Sequence, residues 1–314
     1  MEFELISESP YVLSRCALVF GQFPLDGTDV WVPPRETLPA QYYRLHVIEE
    51  EPVLAIVQQG QDTAEGKAKL IVRTHPSRPK NMAALQGRVA WQFHLDADLT
   101  GFYRKAMKHV FFRPLLKTLY GVKPLRPATL FEMAVIAITE QQLSYASAVK
   151  MRSRMVEALG KNLEFQDQKF KAFPTPQTLA RCTISDLRAF SLSTRKAEYM
   201  IDLARKVSAG FDIERLKERP TPELLETLTS LRGFGRWSAE YFISRGLGRT
   251  EVIAADDLGI QNLVGKFLGS GRRVSAEECR RIMKPWGRYK RWAVFYLFCA
   301  FRLGLLNSTG KPPG

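Results

Sequence analysis

The hydrophobic pattern changes character near residue 97, and that change constrains the fold more than any other feature of the chain. Before it, short runs such as Val53 to Val57, Lys69 to Thr74 and Arg88 to His94 are rich in β-branched and aromatic residues. Polar or Gly/Pro punctuation, Gly60-Gln61-Asp62 and Pro76-Ser77-Arg78-Pro79, separates them. Such side chains suit a pleated, half-buried surface, so this region reads as an antiparallel sheet. From about Asp98 the signals become helical. Thr129 to Glu132 and Ser275 to Glu278 are capping boxes, and Thr221-Pro222-Glu223 offers an N-cap with proline at the first helical position. Gly160 and Gly210 follow amphipathic runs as helix stops, and Phe173-Pro174-Thr175-Pro176 is a connector. The expected architecture is α+β, with a sheet domain over residues 1–97 and an all-α domain over 98–314.

Charge divides at the same place. Residues 1–97 hold 9 Lys+Arg against 12 Asp+Glu, and the remainder holds 37 against 20. The basic character belongs wholly to the helical part. Such an excess draws polyanions by long-range field, with nucleic acid the usual partner; a basic surface kept for solubility is the competing reading.

Several function classes fall away. The chain opens MEFEL with Glu2, Glu4 and Glu8 early, so no secretory signal is expected. The longest apolar stretch, Trp292 to Phe301, is too short to span a membrane. Cys16, Cys182, Cys279 and Cys299 lie far apart, which disfavours a disulfide framework or a Cys-rich metal site. His46, His75, His94 and His109 show no metal-ligand spacing and read as scattered structural or surface residues.

The segment from Leu224 to Phe267 carries the chemistry. An amphipathic helix from Thr221 runs into Leu231-Arg232-Gly233-Phe234-Gly235, and a second begins at about Arg236. A Gly-x-Gly turn between two helices leaves backbone N–H groups bare beside the positive end of the second, which suits a phosphate oxygen. Trp237 and Tyr241 lie one helical turn apart on one face, as a pocket wall or as core packing. Asp256-Asp257 precedes the apolar-periodic run Leu258, Ile260, Leu263, Val264, Phe267, and on pattern alone is an N-cap.

Leu231-Arg232-Gly233-Phe234-Gly235-Arg236-Trp237-Ser238-Ala239, then Tyr241, then Asp256-Asp257, resembles the signature of the helix-hairpin-helix (HhH-GPD) DNA glycosylases. Gly235-Arg236-Trp237 resembles the alkylbase, or 3-methyladenine glycosylase II, branch. Phe131-Glu132 to Ser144, ending Glu140-Gln141-Gln142-Leu143-Ser144, is similar to the family's lesion-probing segment, and Lys284-Pro285-Trp286 with Tyr289 to its C-terminal helix. The resemblance covers roughly residues 110 to 305 and implies a core of two helical subdomains.

The resemblance implies roles residue by residue. Asp257 matches the catalytic aspartate, a fixed carboxylate that stabilises positive charge building on the sugar as the N-glycosidic bond breaks; Asp256 is expected as cap or support. Strand-cutting members carry a lysine where this chain has Trp237, so no Schiff-base lyase step is expected. Trp237 and Tyr241 resemble the aromatic wall of the base pocket, whose faces attract a cationic alkylated base; Phe295 and Tyr296 are further pocket candidates that read equally as core, and Trp286 and Trp292 are expected as packing. Gly233, Gly235, Arg236, Arg195 and Lys196 are candidates for the DNA backbone, and Gln142 stands where the family places the side chain inserted into the gap left by the flipped base. Glu140 is expected as a surface carboxylate near a helix end.

No cofactor is expected: the chain lacks the four-Cys iron–sulfur loop of some relatives, although the hairpin carbonyls suit a monovalent cation. The expected partner is damaged double-stranded DNA, with no membrane, a monomeric state, and a location in the nucleoid-bearing cytoplasm or the nucleus. The leading expectation is a monofunctional glycosylase for 3-methyladenine and 7-methylguanine type purines in base excision repair. Specificity for oxidised or deaminated bases, and a non-enzymatic DNA-binding module, are the alternatives.

Overall fold

The computed structural model describes residues 1–306 except Ser9 and Thr37. Five strands, β1 (Glu2–Ile6), β2 (Asp29–Val32), β3 (Gln41–Ile48), β4 (Glu51–Gln59) and β5 (Lys69–His75), form an antiparallel sheet in the order β1-β5-β4-β3-β2. Helix α1 (Leu13–Phe20) lies between β1 and β2 in the chain, and α2 (Met82–Gln92) follows β5. The run Arg88 to His94, expected as a strand, is instead the end of α2 and the residues after it. Asn81 caps that helix by accepting from Ala84 N–H at 2.9 Å, a local signal that outweighs β-propensity.

Helices α3 (Thr100–Ala106), α4 (Phe112–Leu119), α5 (Leu130–Glu140) and α6 (Tyr145–Leu159) follow, and then a hairpin of β6 (Asn162–Phe165) and β7 (Gln168–Lys171) that the sequence reading missed. This hairpin explains why Val53 to Val57 in β4 are all buried. Val53, Ala55 and Val57 face the main core, whereas Leu54 and Ile56 point the other way and pack with Phe170 and Ala172 of the hairpin segment. Tyr43 stacks on Phe170 with centroids 5.6 Å apart. Both sheet faces are therefore covered.

The chain continues through α7 (Pro176–Ala180), α8 (Ile184–Arg188), α9 (Thr194–Ser208), α10 (Thr221–Thr229), α11 (Arg236–Tyr241), α12 (Leu258–Leu268), α13 (Ala276–Met283) and α14 (Lys290–Arg302). Helices α5 to α11 share one apolar core. Helices α3, α4 and α12 to α14 share theirs with the inner face of the sheet, and Trp286 and Trp292 are buried there.

Three capping expectations resolve differently. Ser275 and Glu278 close a full capping box. Thr129 caps α5 through Glu132 N–H at 3.0 Å, but the Glu132 carboxylate does not return to the cap. Thr221 is not a cap: Pro220 holds that position and the Thr221 hydroxyl donates to Glu251.

Glu132 turns away because a buried cation claims it. Arg44 on β3 contacts Glu132 at 2.5 Å and Asp29 on β2 at 2.6 Å, tying the sheet to α5. A second clasp joins Arg152 on α6 to Asp26, just before β2, at 3.3 Å. Burial favours the neutral acid at Asp26, but Arg152 and Thr28 outweigh it and hold the carboxyl below its usual range.

Candidate active site at the hairpin cleft

A cavity of about 1330 Å³ lies where the two helical groups and the sheet domain meet. Asp257, Trp237, Tyr241, Phe295, Gly233, Gly235, Gln142, Arg195 and Lys196 all line it. Arg236 does not; it is exposed, with Nε on Glu240 at 3.0 Å.

The hairpin turn requires glycine for two different reasons. Gly233 has φ +88°, and a Cβ there would run into the Tyr199 ring. Gly235 has no such φ and a Cβ would meet nothing, so glycine there leaves the backbone open to a large ligand. The Gln141 side chain braces the turn, donating from Nε2 to the Gly233 carbonyl at 2.7 Å and to Ser238 Oγ at 2.9 Å.

Asp257 is the N-cap of α12 and also faces the cavity. Its Oδ1 accepts from Ile260 N–H at 3.0 Å, and Oδ2 accepts from Trp237 Nε1 at 3.2 Å. One carboxylate is thus gripped at both oxygens by the helix it starts and by the helix after the hairpin. Asp256, expected as cap or support, is not the cap; it is exposed and pairs with Arg280 at 2.6 Å. The Trp237 and Tyr241 rings stack at 5.1 Å and 20°. A wall of that shape accepts a flat aromatic ligand.

Beneath the stack, Glu140 departs from its expected place on the surface. Its side chain is 9% exposed, accepts from the Tyr241 hydroxyl at 2.7 Å, and pairs with Arg152 at 3.1 Å and Arg245 at 3.3 Å. Arg245 also donates to the Tyr241 oxygen. Burial is the main force raising the Tyr241 pKa, so this phenol stays neutral.

The rim is set by α5 and α9. Gln142 is exposed with φ +55°, and its neighbour Leu143 is 40% exposed, so two side chains protrude from a kinked loop. Arg195 is exposed at the start of α9. Lys196 is committed inward: its ammonium donates to the carbonyls of Thr139 at 2.8 Å and Gln141 at 2.7 Å, the exposed negative end of α5. Partial burial lowers its pKa to about 8.

Sequence reasoning missed several lining residues. Phe20, Phe23 and Trp31 from the sheet domain reach the cavity, and Phe20 lies 6.4 Å from Phe295, centroid to centroid. No motif marks them. Arg291 and Phe298 also line it, and helical spacing from Phe295 was an available signal for both.

Comparison with known proteins agrees with this geometry. Residues 135–288 match the family described as HhH-GPD superfamily base excision DNA repair protein. The chain is 30% identical over 207 residues to a DNA-3-methyladenine glycosylase of Bacillus subtilis, covering 66% of this chain and 68% of that protein. It is 29% identical over 168 residues to DNA-3-methyladenine glycosylase 2 of Escherichia coli, covering 54% and 56%. Among solved structures it superposes on a 3-methyladenine DNA glycosylase from Archaeoglobus fulgidus with a TM-score of 0.81 and 26% identity, over 96% of this chain and 99% of that one. With the hairpin, the helix-capping Asp257 and the stacked aromatic wall in one cleft, the chain belongs to the HhH-GPD superfamily of base excision DNA repair proteins.

Proposed function

We propose that the protein is a monofunctional DNA glycosylase that flips alkylated purines of the 3-methyladenine and 7-methylguanine type out of duplex DNA and hydrolyses their N-glycosidic bond. The observation that carries this reading is the Asp257 carboxylate, fixed at both oxygens and lining a cavity walled by stacked aromatic rings. Cleavage breaks the bond between the sugar C1′ and the base nitrogen, and positive charge builds on the sugar. A carboxylate already held in place stabilises that charge without reorganising and orients the water that adds to C1′. A purine methylated on a ring nitrogen is cationic, so the Trp237 and Tyr241 faces attract it, at about 0.5–2 kcal/mol per good contact. It leaves as a neutral base, which needs no general acid.

Hydrolysis rather than strand cutting follows from Trp237, which stands where a lyase needs an amine. Gly233, Gly235, Arg236 and Arg195 are proposed to meet the DNA backbone, with Gln142 or its neighbour Leu143 filling the gap in the stack. Lys196 serves instead to hold the probing loop, since its ammonium lies on two carbonyls. A monovalent cation at the hairpin carbonyls would brace the turn and enters no chemical step. The reaction belongs where duplex DNA is kept, the nucleoid or the nucleus, and among the described residues no helix is long and apolar enough to cross a membrane.

The test is chromatography of bases released from methylated duplex DNA. The expected result is free 3-methyladenine or 7-methylguanine, with strands intact until alkali treatment. Intact binding with no released base would overturn the alkylpurine reading in favour of another lesion specificity or a binding module, which a panel of deaminated and oxidised bases separates.

A further inference from the structure

Building on the DNA-binding part of that reading, we propose that the face formed by the α3–α4 turn and the C-terminal ends of α12 and α13 is a second DNA-backbone surface, along which the duplex arm that meets the hairpin continues beyond the lesion.

The positive charge of the chain sits on this face rather than around the hairpin. Residues 140–240, which include the hairpin, hold 17 Lys+Arg against 13 Asp+Glu, a net of +4. Residues 100–131 hold 7 against none, and residues 258–301 hold 9 against 2, so these two segments carry +14 of the +17 on residues 98–314. They pack together in the fold. Phe111 lies 6.0 Å from Phe267 and His109 lies 5.4 Å from Trp286, centroid to centroid, and Lys105 donates to the Pro285 carbonyl. A groove of about 300 Å³ between them is lined by Lys105, Lys108, Leu268 and Ile282.

The cations here are free. Lys108, Lys266, Arg272, Arg273, Arg281 and Lys284 are exposed, and among the described residues none of them stands within ion-pair distance of a carboxylate. Cations elsewhere are committed: Arg232 pairs with Glu198 at 2.6 Å and with Asp202, Arg215 with Asp212 at 3.8 Å, and Lys161 with Glu50 at 2.7 Å. Of the two carboxylates on this face, Glu278 closes the capping box on Ser275 and Glu277 lies in the first turn of α13, away from its basic end. A face kept for solubility is better served by mixed signs than by such a concentration of one.

The face is continuous with the hairpin. Arg236, just after the turn, and Arg280 on α13 both contact the Glu240 carboxylate, at 3.0 Å and 3.4 Å, which joins α11 to α13. From there α13 leads to Arg281 and Lys284, and α12 leads from Asp257 to Lys266 and Leu268. The 11 residues of α12 measure about 16 Å, which is about 5 base pairs of duplex. Charges at that distance meet phosphates of the flanking arm rather than those at the lesion, and each phosphate they neutralise releases condensed counterions.

The test is equilibrium binding of wild type and of the triple variant Lys108→Gln, Arg273→Gln, Lys284→Gln to duplexes holding a tetrahydrofuran abasic-site analogue, with either arm set at about 4 or about 12 base pairs. Lengthening one arm is expected to tighten wild-type binding about 10-fold or more, and lengthening the other is expected to do much less. The triple variant is expected to lose that gain while matching wild type on the short duplex. On the long duplex its salt slope is expected to be shallower by about 3, one for each phosphate contact removed. All three side chains are exposed, and thermal melting reports folding. An equal gain with arm length in both proteins overturns the proposal while leaving the glycosylase reading standing, and assigns the face, with its exposed Met107 and Val110, to a protein partner or to solvent. An equal loss on short and long duplexes overturns it too, by moving these side chains to the lesion. Failure of wild type to bind any of the duplexes overturns both.

Discussion

The indole Nε1 of Trp237 donates to Oδ2 of Asp257 across 3.2 Å, so the side chain that the family resemblance sets at the lyase-lysine position anchors the proposed catalytic carboxylate. The same ring stacks on Tyr241, and one residue shapes both the charge and the wall. Trp237→Phe separates these roles, keeping an aromatic face and removing the donor. A hydrogen bond to a charged group contributes about 1.5–3 kcal/mol. Single-turnover base release is therefore expected to fall about 10- to 100-fold, with the melting temperature little changed.

Arg44 stands between Asp29 and Glu132 with its side chain 2% exposed. Truncation to alanine strands two carboxylates, one of them wholly buried, and is expected to cost about 3–5 kcal/mol in denaturant unfolding. Arg44→Met combined with Glu132→Gln removes the buried charge and is expected to recover much of that loss. Equal destabilisation by the single and double variants would show that packing, not charge, holds the seam.

Acid lability follows from two histidines. His46 and His94 are 3% and 4% exposed, and burial, with nearby arginines adding to it, holds both pKa values well below 6.5. In the unfolded chain each imidazole takes up a proton near pH 6.5, and in the folded chain it does not. The unfolded state binds more protons as pH falls, so stability drops below about pH 6.5 by up to about 1.4 kcal/mol per pH unit for each histidine. His94 stacks on Trp292 at 5.3 Å, so His94→Phe keeps a ring there and is expected to flatten the pH dependence of unfolding between pH 7 and 5. A variant as acid-sensitive as wild type would assign the effect elsewhere.

What the sequence made legible follows from where the governing forces lie. The hairpin, the aromatic pair and Asp257 depend on contacts within a few turns of one segment, so spacing and resemblance sufficed. The β6–β7 hairpin did not announce itself, because its strands are four residues long and its turn is Gln166-Asp167, both at positive φ, rather than the Asn-Gly pair that usually marks such a turn. Glu140 was misplaced because its partners Arg152, Tyr241 and Arg245 come from other helices. The contribution of Phe20, Phe23 and Trp31 to the cavity arises only when the sheet domain docks, and no local pattern encodes it.

The central claim is that Asp257 acts on the reacting sugar rather than only capping α12. Asparagine still accepts from Ile260 N–H, so Asp257→Asn retains the cap while removing the charge. Base release from methylated duplex DNA and equilibrium binding to the same duplex, measured side by side for wild type and Asp257→Asn, separate the two roles. The expected result is release slowed by at least about 100-fold with binding preserved. Release by Asp257→Asn at the wild-type rate, in a variant that binds DNA normally, would contradict the account.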